Sequence, residues 1–202
     1  MEPAKATTEE LILEAAQAVF LEKGLAGARM QEIADRAGIN KALLHYYFRS
    51  KEKLSELIIN RAVGALLPRM VAALETEADL FEKIRRLAGE YVTFVSKNSF
   101  LPLFIVNEVN RNPQFFFKMA VQHEKPHLDK FRQQVEEAVT QGRIRPISSA
   151  QLLMNMMSMV IFPFLGKPIF AVALGLSEEE YGQEMERRRT EVAEFVIRAI
   201  AV

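Results

Sequence analysis

Residues 33–54, IADRAGINKALLHYYFRSKEKL, decide the fold. Two short apolar-periodic segments, about Met30 to Ala37 and about Lys41 to Tyr47, flank Gly38-Ile39-Asn40. Ile33, Ala34, Ala37, Ile39, Leu44 and Phe48 supply one apolar set. The small Ala34 and Ala37 let two short helices cross closely, and Gly38 can take the left-handed conformation that a sharp turn requires. Two short helices joined in this way make a helix-turn-helix, whose second helix presents side chains to the DNA major groove.

Local charge agrees. Gly27 to Ser55 carries six basic residues (Arg29, Arg36, Lys41, Arg49, Lys51, Lys53) against three acidic ones (Glu32, Asp35, Glu52). His45, Tyr46 and Tyr47 cannot all face one small core, so some are exposed, and hydroxyl and imidazole groups contact phosphates well. Lys51 sits in the first turn of the next helix, where the macrodipole disfavours a cation. A phosphate bound there would reconcile the two; an ordinary solvated lysine is the plainer alternative.

Working outward, the chain reads as helix throughout. Thr7 and Glu10 form a capping box ahead of Leu11, Ile12, Ala15, Ala16, Val19 and Phe20, and Gly24 closes that segment. Ser50 can cap a fourth helix. Further helices are expected near 79–97, 100–111, 114–123, 126–141, 149–164 and 178–201, about nine in total. No period-two alternation is sustained, so the expected class is all-α. The expected division is a three-helix DNA-binding domain over residues 1–53 and a larger helical domain over 54–202.

Composition narrows the function. The 202 residues include 26 Lys plus Arg and 26 Asp plus Glu, so any basic character is local rather than global. There is no Cys, which excludes disulfides, thiolate zinc sites and thiol nucleophiles and fits a reducing, cytoplasmic setting. His123 and His127 are four apart, but Pro126 between them marks a helix start and no third ligand is near, so no metal site is expected. No serine elbow, phosphate-binding glycine loop or recognisable carboxylate pair points to an enzyme, and no cofactor is implied. Met154 to Leu176 is apolar for about a membrane span's length. Asn155, Ser158, Pro163, Lys167 and Pro168 interrupt it, so a buried or interfacial helix is expected and no membrane partner.

Thr8 to Leu54, and above all residues 33–54, resembles the DNA-binding region of the tetracycline-repressor (TetR) family of bacterial transcription regulators. Ile33-Ala34, Ala37-Gly38, Leu44, Phe48 and Lys51 fall in register, over about a quarter of the chain. The resemblance implies a DNA face of Arg29, Asn40, Lys41, Ala42, Leu43, His45, Tyr46, Tyr47 and Lys51. Lys41, Ala42 and Leu43 open the recognition helix. Lys41 is placed for guanine acceptors, Ala42 and Leu43 for thymine methyls, with core burial a competing reading for Leu43. There are departures. Arg29 stands where the family usually caps its second helix with Thr or Ser, so a cap worth about 1 kcal/mol is missing. Asn40 replaces the family's Ser or Thr in the turn, and His45 its Tyr after the core leucine.

The resemblance also implies a homodimer on a palindromic double-stranded operator, and a small apolar effector held in the helical domain. Met154, Met157, Ile161 and Leu165 line one face of the penultimate expected helix; Val192, Phe195, Val196, Ala199 and Ile200 line one face of the last. Paired with a second copy they make a four-helix bundle. Periodicity alone equally allows burial inside one subunit, and the resemblance favours the dimer. Eight of the fourteen Phe lie between Phe81 and Phe131. Phe94, Phe104, Phe116, Met119, Val121 and Met157 are candidate pocket lining, with core packing the competing reading. Glu90 and Glu108 are candidates to orient a ligand, or simply solvated. An alternative keeps the DNA-binding scaffold but has the C-terminal half bind a protein partner instead of a small ligand.

Overall fold

The computed structural model describes residues 7–111, 113, 114 and 128–202. Ten helices run through the described residues: α1 Thr8–Gly27, α2 Met30–Arg36, α3 Lys41–Tyr47, α4 Lys51–Leu74, α5 Leu80–Lys97, α6 Leu101–Arg111, α7 Asp129–Thr140, α8 Ser149–Leu165, α9 Lys167–Leu174 and α10 Glu178–Ile200. Among the described residues there is no strand, only an isolated antiparallel bridge between Ile144 and Ala201. The expected helix over 114–123 and the helix start at Pro126 lie outside the described residues.

The helix starts follow local chemistry. Thr7 Oγ1 accepts from the Glu10 amide at 3.3 Å, and Glu10 answers by accepting from the Thr7 amide at 2.8 Å. That backbone hydrogen bond, first among the causes, holds the Glu10 carboxyl below its ordinary pKa. Ser177 and Glu180 repeat the box at α10. Asp79 caps α5 by accepting from Phe81 and Glu82 amides at 2.9 and 3.1 Å, and Ser50 and Ser148 cap α4 and α8. At α1 the helical dihedrals break at Gly24, whose φ of +65° only glycine adopts cheaply. The chain continues through Leu25 to Gly27 as a separate turn.

Two cores result. The first gathers Ile12, Ala16, Val19, Phe20, Ile33, Ala34, Leu44, Leu54, Ile58 and Ile59, with Leu101 and Phe104 reaching in from α6. Phe20 and Phe104 stack with centroids 5.4 Å apart. The second gathers the inward faces of α5, α7, α8 and α10, including Ile84, Leu87, Val92, Phe131, Val135, Met156, Val160, Val192, Val196 and Ile200. Helix α4 belongs to both: its first turns pack in the first core, while Ala73 and Leu74 are buried at its far end. The 53/54 division drawn from sequence therefore falls inside a continuous helix.

Apart from the stretch over 114–123, each helix named from sequence has a counterpart among the ten described. The extra one, α9, comes from the apolar stretch 154–176, which turns by 76° between α8 and α9. Gly166 at that corner is buried, and a Cβ on it would meet the Phe162 carbonyl and the Phe170 ring at 3.3 Å each. The stretch is thus two short helices, not one straight span. Helix α4 is long and apolar enough to cross a membrane by length and composition; here it packs on α1, α5 and α6.

Two residues named from sequence for the dimer face are buried within the subunit. Val192 and Val196 are 3 % exposed and belong to the second core, because the face of α10 that carries them turns toward α5. Ile200 is buried with them. Ile161 and Leu165 are half-buried, while Met154, Phe195 and Ala199 point outward.

Candidate nucleic-acid interface and helical-domain cavities

The α2–α3 unit is built on α1. Lys23 pairs with Glu32 at 2.8 Å and Arg36 with Glu22 at 2.7 Å, tying α2 along the end of α1. The hydrogen bond from Lys23 is the main cause of the lowered Glu32 pKa. Gly38 takes φ +69°, as the sharp turn needs. Asn40 then caps α3, its Oδ1 accepting from the Leu43 amide at 2.8 Å. Arg29 stands at the N-cap of α2 and makes no side-chain cap hydrogen bond, so the missing cap read from sequence is a feature of the fold. Leu44 anchors α3 with no exposed surface.

Around that anchor the other candidate residues fan outward. Arg29, Asn40, Lys41, Ala42, Leu43, His45, Tyr46 and Tyr47 are all exposed. Leu43, for which core burial was the rival reading, points out of the core. Tyr46 is 83 % exposed, with its ring 5.7 Å from that of Tyr47 in edge contact.

Lys51 differs from the rest. Its half-buried ammonium donates to the carbonyls of Ala26 at 3.0 Å and Ala28 at 3.1 Å. The cation at the start of α4 is thus matched by backbone oxygens of the α1–α2 turn. Two of its three donors are occupied in this way. Lys51→Ala is expected to lower the unfolding free energy by about 1–2 kcal/mol through these lost charge-assisted bonds. It should also weaken DNA binding on every sequence, with a salt slope shallower by up to about one. Denaturant titration and a salt series on one duplex check both; unchanged stability would sink the staple.

Of the pocket residues named from sequence, the three that are described, Phe94, Phe104 and Met157, lie apart. Phe104 lines a cavity of about 710 Å³ formed by Phe20, Gly24 and Leu25 of α1, the α5–α6 corner, the α8–α9 corner and the start of α10. Phe94 lines a different cleft, between α1, α4 and α5, with Arg61 and Arg69. Met157 is 37 % exposed and lines neither. Phe116, Met119 and Val121 lie outside the described residues, as do His123, His127 and the Glu108 side chain. Glu90 is exposed. The described residues contain no cluster of three or more His, Cys, Asp or Glu able to hold a metal ion.

Sequence reasoning missed a second cavity of about 740 Å³ under α9. Its walls are Ser158, Met159, Phe162 and Pro163 of α8, Phe170 and Leu174 of α9, Leu176, and Tyr181, Glu184, Met185 and Arg188 of α10. Tyr181 and Met185 line both cavities. In the run Arg187-Arg188-Arg189, the outer two pair with Glu184 at 2.8 Å and Glu186 at 2.5 Å. Arg188 turns inward instead, its Nη2 donating to the Met159 carbonyl at 2.5 Å. Burial, partly offset by the Tyr181 hydroxyl, pulls its pKa below the ordinary value. Nothing in three successive arginines marks the middle one as different.

Residues 12–58 match the family model described as bacterial regulatory proteins, tetR family. Over 88 residues the chain is 35% identical to the HTH-type transcriptional activator FasR of Mycolicibacterium smegmatis, covering 44% of this chain but only 40% of that one. It is 21% identical over 179 residues to the probable HTH-type transcriptional regulator YttP of Bacillus subtilis, covering 87% and 86% of the two chains. The fold superposes on the TetR family transcriptional regulator PfmR of Thermus thermophilus with a TM-score of 0.72 at 22% identity, over 98% of this chain and 100% of that one. With the helix-turn-helix closed on α1 and a helical domain behind it, residues 12–58 carry the DNA-binding region of the tetR family and the whole chain has the fold of TetR-family regulators.

Proposed function

We propose that the chain is a homodimeric, cytoplasmic repressor of transcription, without enzymatic activity, that leaves a palindromic operator when a small apolar effector enters its helical domain. The observation that carries the DNA-binding part is the outward fan of Arg29, Asn40, Lys41, Ala42, Leu43, His45, Tyr46 and Tyr47 around a fully buried Leu44. Lys41 to Leu43 open the recognition helix and read base edges; His45, Tyr46 and Tyr47 set register on phosphates.

One helix-turn-helix makes few contacts, and a two-fold dimer doubles them at a fixed spacing. The outward Met154, Phe162, Phe195 and Ala199 support pairing through α8 and α10. Effector control finds support in the cavity beside Gly24. A ligand there presses on the break in α1, and the turn beyond it is held by Lys51 and followed by α2. Moving that turn changes the spacing of the two recognition helices, so effector and operator affinities are reciprocally coupled.

The test is binding of purified protein to fragmented genomic DNA, with bound pieces sequenced and stoichiometry taken from light scattering. A shared short palindrome holding one or two dimers supports the reading. Weak, motif-free binding in the absence of any ligand overturns it. On such a palindrome Lys41→Ala should change base preference at one position per half-site, by about 1–3 kcal/mol of discrimination. An unaltered preference would remove Lys41 from base readout.

A further inference from the structure

A cleft of about 370 Å³ opens between α1, α4 and α5, where the two cores meet. Its floor is apolar: Ile58 and Leu101 are buried in the first core, and Phe94 packs against both cores. Its rim carries three cations, Arg61 and Arg69 of α4 and Lys97 of α5, and among the described residues no carboxylate lines it. Elsewhere in the helical domain cations lie against carboxylates, among them Arg85 on Glu194, Arg86 on Glu82 and Arg187 on Glu184. At the cleft, Arg61 has such a partner in Glu9 of α1. Arg69 and Lys97 make no hydrogen bond or ion pair among the described residues. Three cations less one carboxylate leave two positive charges unmatched over an apolar floor. Like charges gathered on one cleft repel, and an anion between them turns that repulsion into attraction.

We propose that this cleft binds a compact dianion, of the kind carried by a phosphate monoester or a dicarboxylate, with its charge on Arg69 and Lys97. A monoanion leaves one of the two cations unmatched, and a neutral molecule leaves both. Guanidinium and ammonium donors bind an anion through charge-assisted hydrogen bonds, stronger than neutral ones. The apolar floor keeps water from one side of those bonds and so strengthens them. The half-buried Gln17 of α1 adds a neutral amide donor on the opposite wall. The dianion would also bridge two helices. Pro68, one residue before Arg69, removes one of the hydrogen bonds internal to α4. A ligand held by Arg69 and Lys97 restrains that weakened stretch against α5. The site stands apart from the operator and effector readings above.

The test titrates the full chain, without DNA, with glycerol phosphate, succinate and glycerol by calorimetry. Ionic strength is held fixed and the pH is mildly alkaline, where a phosphate monoester carries two charges. At least one dianion should bind, one per chain, at least about tenfold more tightly than glycerol. The one that binds more tightly tells a phosphate-ester source from a dicarboxylate one. Arg69→Gln and Lys97→Gln should each weaken that binding about tenfold, and together abolish it. Both side chains are exposed and unpaired among the described residues, so neither variant should move the thermal midpoint. Glu9→Gln frees Arg61 as a third cation and should tighten binding of pyrophosphate, which carries more charge, by about fivefold or more. Failure of both dianions overturns the site. Dianion binding that survives the double variant overturns it too, and its loss in Arg29→Gln/Lys41→Gln would then put the anion on the recognition-helix face. An unchanged pyrophosphate affinity in Glu9→Gln would overturn the charge count on which the dianion rests. Because no DNA is present, each of these results is separate from the operator test.

Discussion

Lys83→Met is expected to stabilise the protein at neutral pH by about 1–4 kcal/mol, by analogy with buried ionic groups that give way to apolar side chains of similar volume. Lys83 lies in α5 with no exposed surface, and its Nζ has no hydrogen-bond partner. Burial, the largest cause, pulls its pKa below the ordinary 10.5, and outweighs the opposing pull of Glu75 and Glu77. The sign follows from proton linkage. Between the lowered folded value and 10.5, the unfolded chain binds more protons than the folded one, so wild-type stability from this group rises with pH. Below that window the penalty is complete. The advantage of Lys83→Met should therefore be greatest near neutrality and shrink as pH approaches 10.5. Urea unfolding of both proteins across that range measures the difference directly. A variant less stable than wild type at neutral pH would show that Glu75, whose Oε1 is also buried without a partner, depends on the ammonium.

Phe131→Ala carries the largest expected loss, about 3–5 kcal/mol, because it empties an aromatic-sized volume in the second core. For a chain of this length that is a fall in Tm of about 6–20 °C. Phe131 is wholly buried on α7 among residues of α5, α8 and α10, so no solvent can fill the void cheaply. Phe195→Ala is the control. At 62 % exposure it should change the stability of an isolated subunit by less than about 0.5 kcal/mol. Thermal unfolding followed by circular dichroism separates the two; a loss under about 1 kcal/mol at Phe131 would mean that α7 collapses into the space.

What the sequence disclosed, and what it hid, divides along a physical line. Helix ends were legible because capping is local: Thr7, Ser50, Asp79, Ser148 and Ser177 each bind an amide within three residues. The helix-turn-helix was legible because its turn and its crossing depend on Gly38 and on small residues a few positions apart. The sidedness of α10 was harder. Val192, Phe195, Val196 and Ala199 all read as one apolar stripe, yet α5 covers only part of it. Which part depends on packing between residues about a hundred positions apart, and periodicity carries no record of that. The same holds for the charged residues that matter most. Lys51, Lys83 and Arg188 resemble any solvated cation in sequence. What sets them apart, the Ala26 and Ala28 carbonyls for Lys51, burial without a hydrogen-bond partner for Lys83, and the Met159 carbonyl for Arg188, is supplied by other elements.

The pairing of α5 with α10 also sets an order of events during synthesis. The first core needs little beyond residues 12–59 and α6, so it can close while the remaining chain is still being made. The second cannot. Its seam is drawn together by Arg85 on Glu194 at 2.7 Å and by the Arg145 amide on the Ile200 carbonyl at 2.7 Å. At ribosomal speeds, the hundred or so residues from α5 to α10 take about 5–20 s to appear. Throughout that interval the apolar flank of α5, with Ile84, Leu87, Tyr91 and Val92, waits beside an already folded DNA-binding head. The nascent chain is thus at its most adhesive late in translation, and that interval is when chaperone protection counts most.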